Sequence, residues 1–421
     1  VPVTIKVHRE DRVDDEVREQ EFVKGASGLE LGLETVLRGE EGWVEVRREP
    51  RTGKRTVLAE KRAKDGVPIV LTIDARDQQA AFEAMRGEPG AFVVVNAETG
   101  AVLALASSPS YDLEEFGAVN SYWRDRKDVA RSPLYDRSYR LAQIPGSVMK
   151  PFTAIAAYRS GDFTLEETIL CEELFYLNGR PLDSNRCAHH HGPLDLHGAL
   201  VKSCNVYFQT LLDRMRSRNL VEVFHGTGTD FGFGRGTGLE VEPDSAQDGG
   251  RLWGNWHFGG VQKIAQLVAS AIGQGQVTLT PPQIARAYAG LATGYLPRLH
   301  LVQRTGARET EVERVRLDLD PVLMKVVRRS LKEVVQPGGT APGYRLAQFG
   351  ISAKTGTAQT GRAHRHVPIH NGWMAGYAPA REGRPPMAFA MVVLETPGSG
   401  AEACGPKLAD FFQRFYAPER Q

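Results

Sequence analysis

The chain is short of three things. Among 421 residues there are only four cysteines, too few for a framework of disulfides. No apolar run approaches the length that spans a bilayer, and no signal peptide is visible. Charge of one sign is also missing: 52 lysines and arginines face 51 aspartates and glutamates, a net of +1. So close a balance gives no electrostatic footprint for nucleic acid or an acidic polymer as partner. The length is ample for one large domain with a sizeable core and a smaller one beside it.

What is present is organised around Ile144-Pro145-Gly146-Ser147-Val148-Met149-Lys150-Pro151-Phe152. Pro145-Gly146 marks a loop and the residues after Lys150 follow a helix pattern, so Ser147 falls at a helix start. Residues three apart share a helix face, which brings the Lys150 amine within reach of the Ser147 hydroxyl. A serine is a poor nucleophile until a base takes its proton, and a lysine of lowered pKa is such a base. Unpaired backbone N–H groups at the helix start favour a developing oxyanion. An S-x-x-K arises by chance about once in a chain this long, so alone it also fits a surface serine and lysine.

Two further stretches add weight. Lys202-Ser203-Cys204-Asn205 supplies an S-x-N about fifty residues later, and Lys354-Thr355-Gly356-Thr357 a K-T-G-T about 150 beyond that. With this trio in order, the chain resembles the penicillin-binding protein transpeptidase family. Smaller segments agree: Phe231-Gly232-Phe233-Gly234, Ile272-Gly273-Gln274-Gly275 with Thr280-Pro281, and Pro133-Leu134-Tyr135-Asp136-Arg137, where Asp136 replaces the family's asparagine.

Residues 1–90 read as a charged, β-rich region. Gly42–Arg48 and Arg55–Ala59 alternate as two strands about the turn at residues 51–54. Its basic run from Arg47 to Lys64 fits an anionic glycan or lipid, or a solvated hairpin face guarded against edge pairing. Gly25-Ala26-Ser27-Gly28-Leu29-Glu30 resembles a segment of the non-catalytic pedestal of class B members. Residues 91–421 would form the transpeptidase domain. Two apolar strands at 91–96 and 101–107, a long segment from Ser108 to Gln143, a helical insertion, three strands from Gly350 to Glu395 and a last helix at Pro406–Tyr416 follow in order. A helix starting at Gly198 is expected to run through Ser203 to Leu212. The expected fold is α+β: a five-stranded antiparallel sheet flanked by helices, an all-helical subdomain, and a small N-terminal pedestal.

The resemblance implies roles. Ser147 is the nucleophile and Lys150 its proton acceptor. Ser203 relays a proton to the leaving amine, and Asn205 holds Lys150 and a substrate amide. Lys354 supplies positive charge, Thr355 and Thr357 bind a substrate carboxylate, and Gly356 lets substrate backbone lie against the strand. The N–H groups of Ser147 and Thr357 form the oxyanion hole. The implied reaction is D,D-transpeptidation: peptidoglycan stems ending in D-Ala-D-Ala acylate Ser147 and pass to a second amine, and β-lactams block the same serine. No glycosyltransferase region precedes Ala91, which fits the monofunctional class B type. The insertion before S-x-N leans towards the elongation-type, shape-maintaining branch. A membrane-bound glycosyltransferase and elongation-complex proteins are the implied partners. The implied location is the extracytoplasmic, periplasmic face of the cell membrane, with an N-terminal anchor absent from this chain. A β-lactamase, a β-lactam-sensing domain and an idle scaffold are the competing readings.

Cys171, Cys187 and Cys204 fall in one short segment with His189, His190, His191 and His197. Three thiolates and an imidazole suit a closed, structural zinc site. The expected set is Cys171, Cys187, His191 and Cys204; His191 is preferred because His191-Gly192 resembles a His-Gly pair of elongation-type members. A Cys171–Cys187 disulfide, with histidines decorating a loop, is the alternative.

Overall fold

The computed structural model describes residues 3–8, 25, 27–49, 51–123, 131–182, 185–241, 254–257, 263–364, 366–381 and 383–417. Ala26 of the pedestal motif and residues 124–130 of the long segment lie outside them. The chain divides into two compact units. One comprises Val1–Leu71, Glu240–Pro243 and Val302–Glu311; the other comprises Thr72–Leu239, Asp244–Leu301 and Val312–Gln421.

In the first unit, strand β1 (Val3–His8) runs parallel to β2 (Gly42–Arg48), which pairs antiparallel with β3 (Arg55–Lys61). The hairpin turns where glycine allows it, with Gly53 at φ +70°. Strand β4 (Ile69–Leu71) pairs with Val302–Thr305, from far along the chain.

By contacts the first unit's N-terminal stretch ends at Leu71, ahead of the expected boundary at residue 90. Residues 72–89 go with the second unit because helix α1 (Ala75–Ala84) is bonded into it. Asp74 caps α1 by accepting from Arg76 N and Asp77 N. The Gln78 amide then accepts from Leu105 N at 2.7 Å and donates to Leu105 O at 2.9 Å. The carboxylate of Asp77 meets Arg384 at 3.0 Å.

The second unit holds the expected five-stranded antiparallel sheet. Its strands are β5 (Gly90–Asn96), β6 (Val102–Ser108), β7 (Ser352–His364), β8 (Val367–Ala378) and β9 (Met387–Thr396), in the order β7-β8-β9-β5-β6. Strands apolar on both faces belong under helices on both sides, and the period of two assigns each face. Phe92, Val94, Phe389, Met391 and Met374 share one core cluster with α1 and the last helix. The alternate residues, such as Ala390 and Val392, face the other side. Edge-on contacts of Phe92 with Phe389 and Phe411, and of Phe389 with Phe412, knit the first core. Each such pair adds about 0.5–1.5 kcal/mol beyond its buried area.

The insertion between β6 and β7 supplies helices α2 (Lys150–Arg159), α3 (Leu196–Val201), α4 (Asn205–Ser217), α5 (Val221–Asp230), α6 (Pro281–Thr293) and α7 (Pro321–Glu333). The last helix, α8, runs Gly400–Phe415 rather than from Pro406. The start is fixed by a capping box in which Ser399 and Glu402 bond each other's backbone N–H groups. Pro406 sits inside the helix.

The expected helix at the second motif also differs. The helix through S-x-N is broken into α3 and α4, because Ser203 adopts φ +57°. Cys204 then caps α4, its sulfur accepting from Tyr207 N at 3.4 Å.

Candidate active site

Gly146, at φ +61°, turns the chain into a single 3-10 turn, Gly146–Met149, that runs on into α2. Ser147 lies in this turn. The turn is held from several sides: Gly146 N–H donates to Gly273 O at 2.9 Å, Tyr288 Oη to Val148 O at 2.9 Å, and Trp373 Nε1 to Ile144 O at 3.0 Å. Gly273 must be glycine twice over, for its φ of +68° and because a Cβ there would lie 2.1 Å from Gly146 O. Its neighbour Gln274 donates from Nε2 to Thr357 O at 3.3 Å. The I-G-Q-G segment thus joins the serine turn to the K-T-G-T strand, a role that the motif match alone did not reveal.

Lys150 is fully buried. Its Nζ donates to Ser203 O at 2.5 Å, Asn205 Oδ1 at 2.7 Å and Ser203 Oγ at 3.1 Å. Lys354, also fully buried, donates to Ser203 Oγ at 2.8 Å and Thr355 O at 3.1 Å. Burial pulls the Lys150 amine down to about 8, against the opposing pull of the nearby cysteines, Cys204 foremost. Burial, and then the charge of Lys150, push Lys354 well below the usual lysine range. The Ser203 hydroxyl therefore stands between two lysines whose positive charges oppose each other. When one amine is neutral, the hydroxyl accepts from the charged lysine and donates to the neutral one, which is a proton path.

The left-handed backbone of Ser203 aims its carbonyl at Lys150, a conformation that costs about 1–3 kcal/mol in a non-glycine residue. Asn205 holds Lys150 as expected. Both hydrogens of its amide, however, go to Asn185 O at 3.2 Å and Arg186 O at 3.1 Å. In this structure Asn205 is a strut between Lys150 and the loop, and the expected contact to a substrate amide has no free hydrogen.

Strand β7 is the sheet's edge and carries Lys354 to Thr357. Gly356 has a nearer reason than substrate backbone. A Cβ there would meet Pro145 O at 2.8 Å and Val148 Cγ1 at 3.2 Å, so the bare strand seats the serine turn. Thr357 Oγ1 accepts from Gly400 N at 3.0 Å, and Thr355 Oγ1 pairs with Thr340 Oγ1 at 2.7 Å. Thr357 keeps its own proton to donate, as carboxylate binding requires. Gly146 lies against the Thr357 peptide, where an added Cβ would sit 3.3 Å from Thr357 N. That brings together the two peptides expected to form the oxyanion hole.

Beside S-x-N, ligand atoms of Cys171, Cys187, His191 and Cys204 all lie within 4.8 Å of one another. Cys171 Sγ is 3.6 Å from Cys187 Sγ and 3.3 Å from His191 Nδ1, and Cys187 Sγ is 3.7 Å from Cys204 Sγ. A tetrahedral ion with metal–sulfur bonds of about 2.3 Å separates its ligands by about 3.5–3.8 Å. The cluster has the donors and spacing of such a site, and no disulfide is formed. The hydrogen bond between Cys187 and Cys204 pulls the Cys187 thiol below the usual range and pushes Cys204 above it. The strands Ile169–Cys171 and Gly192–Leu194 pair and bring Cys171 beside Gly192. His197 is elsewhere engaged, with Ser330 Oγ and Glu333 Oε2 each at 3.0 Å.

Residues 90–413 match the penicillin binding protein transpeptidase domain. Peptidoglycan D,D-transpeptidase MrdA of Haemophilus influenzae is 30% identical over 94% of this chain and 64% of its own length. The probable peptidoglycan D,D-transpeptidase PenA of Neisseria flavescens is 30% identical over 91% of both chains. The chain thus spans less than two thirds of the length of MrdA. Among solved structures, Pseudomonas aeruginosa PBP2 in complex with WCK 5153 superposes with a TM-score of 0.73 at 27% identity, covering 94% of this chain and 84% of that one. With the trio of motifs folded into one site and the domain match spanning most of the sequence, this chain belongs to the penicillin-binding protein transpeptidase family.

Proposed function

We propose that this protein is a peptidoglycan D,D-transpeptidase that works through a Ser147 acyl-enzyme. The observation that carries the reading is the Ser203 hydroxyl shared by two buried lysines, Lys150 at 3.1 Å and Lys354 at 2.8 Å, beside the serine turn. Neutral Lys150 takes the Ser147 proton as Oγ attacks the carbonyl of the penultimate D-alanine. The tetrahedral oxyanion is held by the N–H groups of Ser147 and Thr357. As the C–N bond breaks, the Lys150 proton passes through Ser203 to the leaving D-alanine amine. An amine of a second stem then attacks the ester, its proton returns by the same path to Ser147, and the cross-link is made. Lys354, Thr355 and Thr357 supply the charge and hydroxyls that hold the substrate carboxylate.

The same reading makes the protein a β-lactam target acting on the extracytoplasmic, periplasmic face of the membrane. No helix among the described residues is long and apolar enough to cross a membrane. The reading extends to a role in cell-wall elongation and cell shape, with a membrane-bound glycosyltransferase and elongation proteins as partners; the relative named MrdA supports the D,D-transpeptidase activity itself. Cys171, Cys187, His191 and Cys204 would hold one structural zinc ion, which supplies a fixed tetrahedral brace and no acyl-transfer chemistry.

The test is cross-linking of lipid-linked precursor by the purified protein, run beside hydrolysis of a chromogenic cephalosporin. Cross-linked product with a long-lived β-lactam adduct is expected. Sustained cephalosporin turnover at β-lactamase rates would move the protein to that class. Acylation with no cross-linking would make it a sensor, and no acylation an idle scaffold.

A further inference from the structure

A cavity of about 440 Å³ lies in the unit that carries Ser147, away from that residue. Its wall is tied to the far end of the nucleophile helix: Arg159, the last residue of α2, donates to Asp230 Oδ2 at 2.8 Å and to Asp318 O at 2.6 Å. Nine residue steps separate Arg159 from Lys150, roughly 14 Å along the helix axis. The cavity is thus no extension of the Ser147 cleft.

Its lining is unbalanced in charge. Arg235, Arg286 and Arg316 all face it, against Asp230 and Asp318. Asp230 is already neutralised by Arg159. Arg286 is anchored to backbone carbonyls, Nε donating to Pro297 O at 2.6 Å and Nη1 to Gly236 O at 3.3 Å. Arg235 and Arg316 are exposed, and their guanidinium groups have no ion-pair partner among the described residues. Between them runs an apolar strip of Leu296, Val315 and Leu317, with Val315 64% exposed.

We propose that this cavity is a second ligand site that binds a short peptide by its C-terminal carboxylate. Guanidinium groups match a carboxylate in two-point geometry. The apolar strip takes an aliphatic side chain, and the Asp318 carboxylate takes the peptide's ammonium group. That aspartate also decides against a phosphate group, whose second negative charge it repels. The volume lies within the range of small-ligand pockets.

The experiment is calorimetric titration of the whole chain with the tripeptide Ala-Leu-Ala, its C-terminal amide, its N-acetyl form and inorganic phosphate. Ala-Leu-Ala is expected to bind one per chain, with the amide at least about tenfold weaker. Replacing both arginines, Arg235→Ala with Arg316→Ala, is expected to weaken the acid to the level of the amide while leaving penicillin acylation of Ser147 intact. Asp318→Asn is expected to remove the preference for the free amine over the N-acetyl form. Equal binding of acid and amide, undiminished binding in the double variant, tighter binding of phosphate than of peptide, or no binding at millimolar peptide each overturns the proposal. None of these outcomes bears on the transpeptidase reading, which is tested at Ser147.

Discussion

The backbone N–H of Asn205 donates to the sulfur of Cys187 at 3.0 Å. The same asparagine presents its side-chain oxygen to Lys150 at 2.7 Å. One residue therefore joins the cysteine cluster to Lys150, the base in the proposed reaction.

That join gives the first prediction. Cys204→Ser removes a ligand and is expected to lower bound metal from about one zinc per chain and to slow penicillin acylation by at least about 10-fold, the lower end of the cost of disturbing even a ligand's supporting partner. Elemental analysis and a fluorescent-penicillin time course read the two effects. Full acylation speed in a metal-free variant would sink the coupling.

Acylation itself should map to one residue. Ser147→Ala is expected to abolish the penicillin adduct, and Lys150→Ala to slow its formation by about 10²–10⁴-fold through loss of the base. Intact mass followed by peptide mapping checks both, and an adduct surviving in Ser147→Ala would refute the nucleophile.

The pH profile follows from the burial of Lys150, whose amine is drawn down to about 8. The base must be neutral to accept a proton, so activity belongs to the deprotonated form. The acylation rate is expected to rise about tenfold per unit below that value and level off above it. A rate that falls as pH rises through 8 would contradict Lys150 as the base.

Gly273→Ala is expected to destabilise the fold by about 2 kcal/mol or more, since it adds backbone strain and overlap with Gly146 O. The melting temperature should drop and acylation slow together, because the displaced partner is the serine turn. Unchanged melting and acylation would show that the turn is held by other contacts.

Much of this site was legible because its chemistry is written in short, ordered motifs. Lys150, Ser203 and Lys354 meet as the trio implied, and the apolar strands at 91–96 and 101–107 announced the sheet. The break at Ser203 was not legible. Gly198 to Leu212 reads as one helix in the sequence, whereas Ser203, whose carbonyl meets Lys150, sits in the left-handed region. Gly356 and Gly273 were visible as motif letters, but the atoms that forbid a side chain there come from segments distant in sequence. The start of α8 differs for a local reason: the Ser399–Glu402 capping box begins the helix at Gly400, ahead of the expected Pro406.

Strand β4 carries a last consequence, for how the protein is made. Its partner Val302–Thr305 is synthesised roughly 230 residues later, and such distant pairings close slowly. The first unit cannot finish folding as it leaves the ribosome; its final strand arrives only after most of the other unit has been produced. A fragment cut at residue 90 would carry an unpaired edge at Ile69–Leu71, so the two units are not interchangeable cassettes. Grafting the first unit onto another protein requires the segment 302–311 to travel with it.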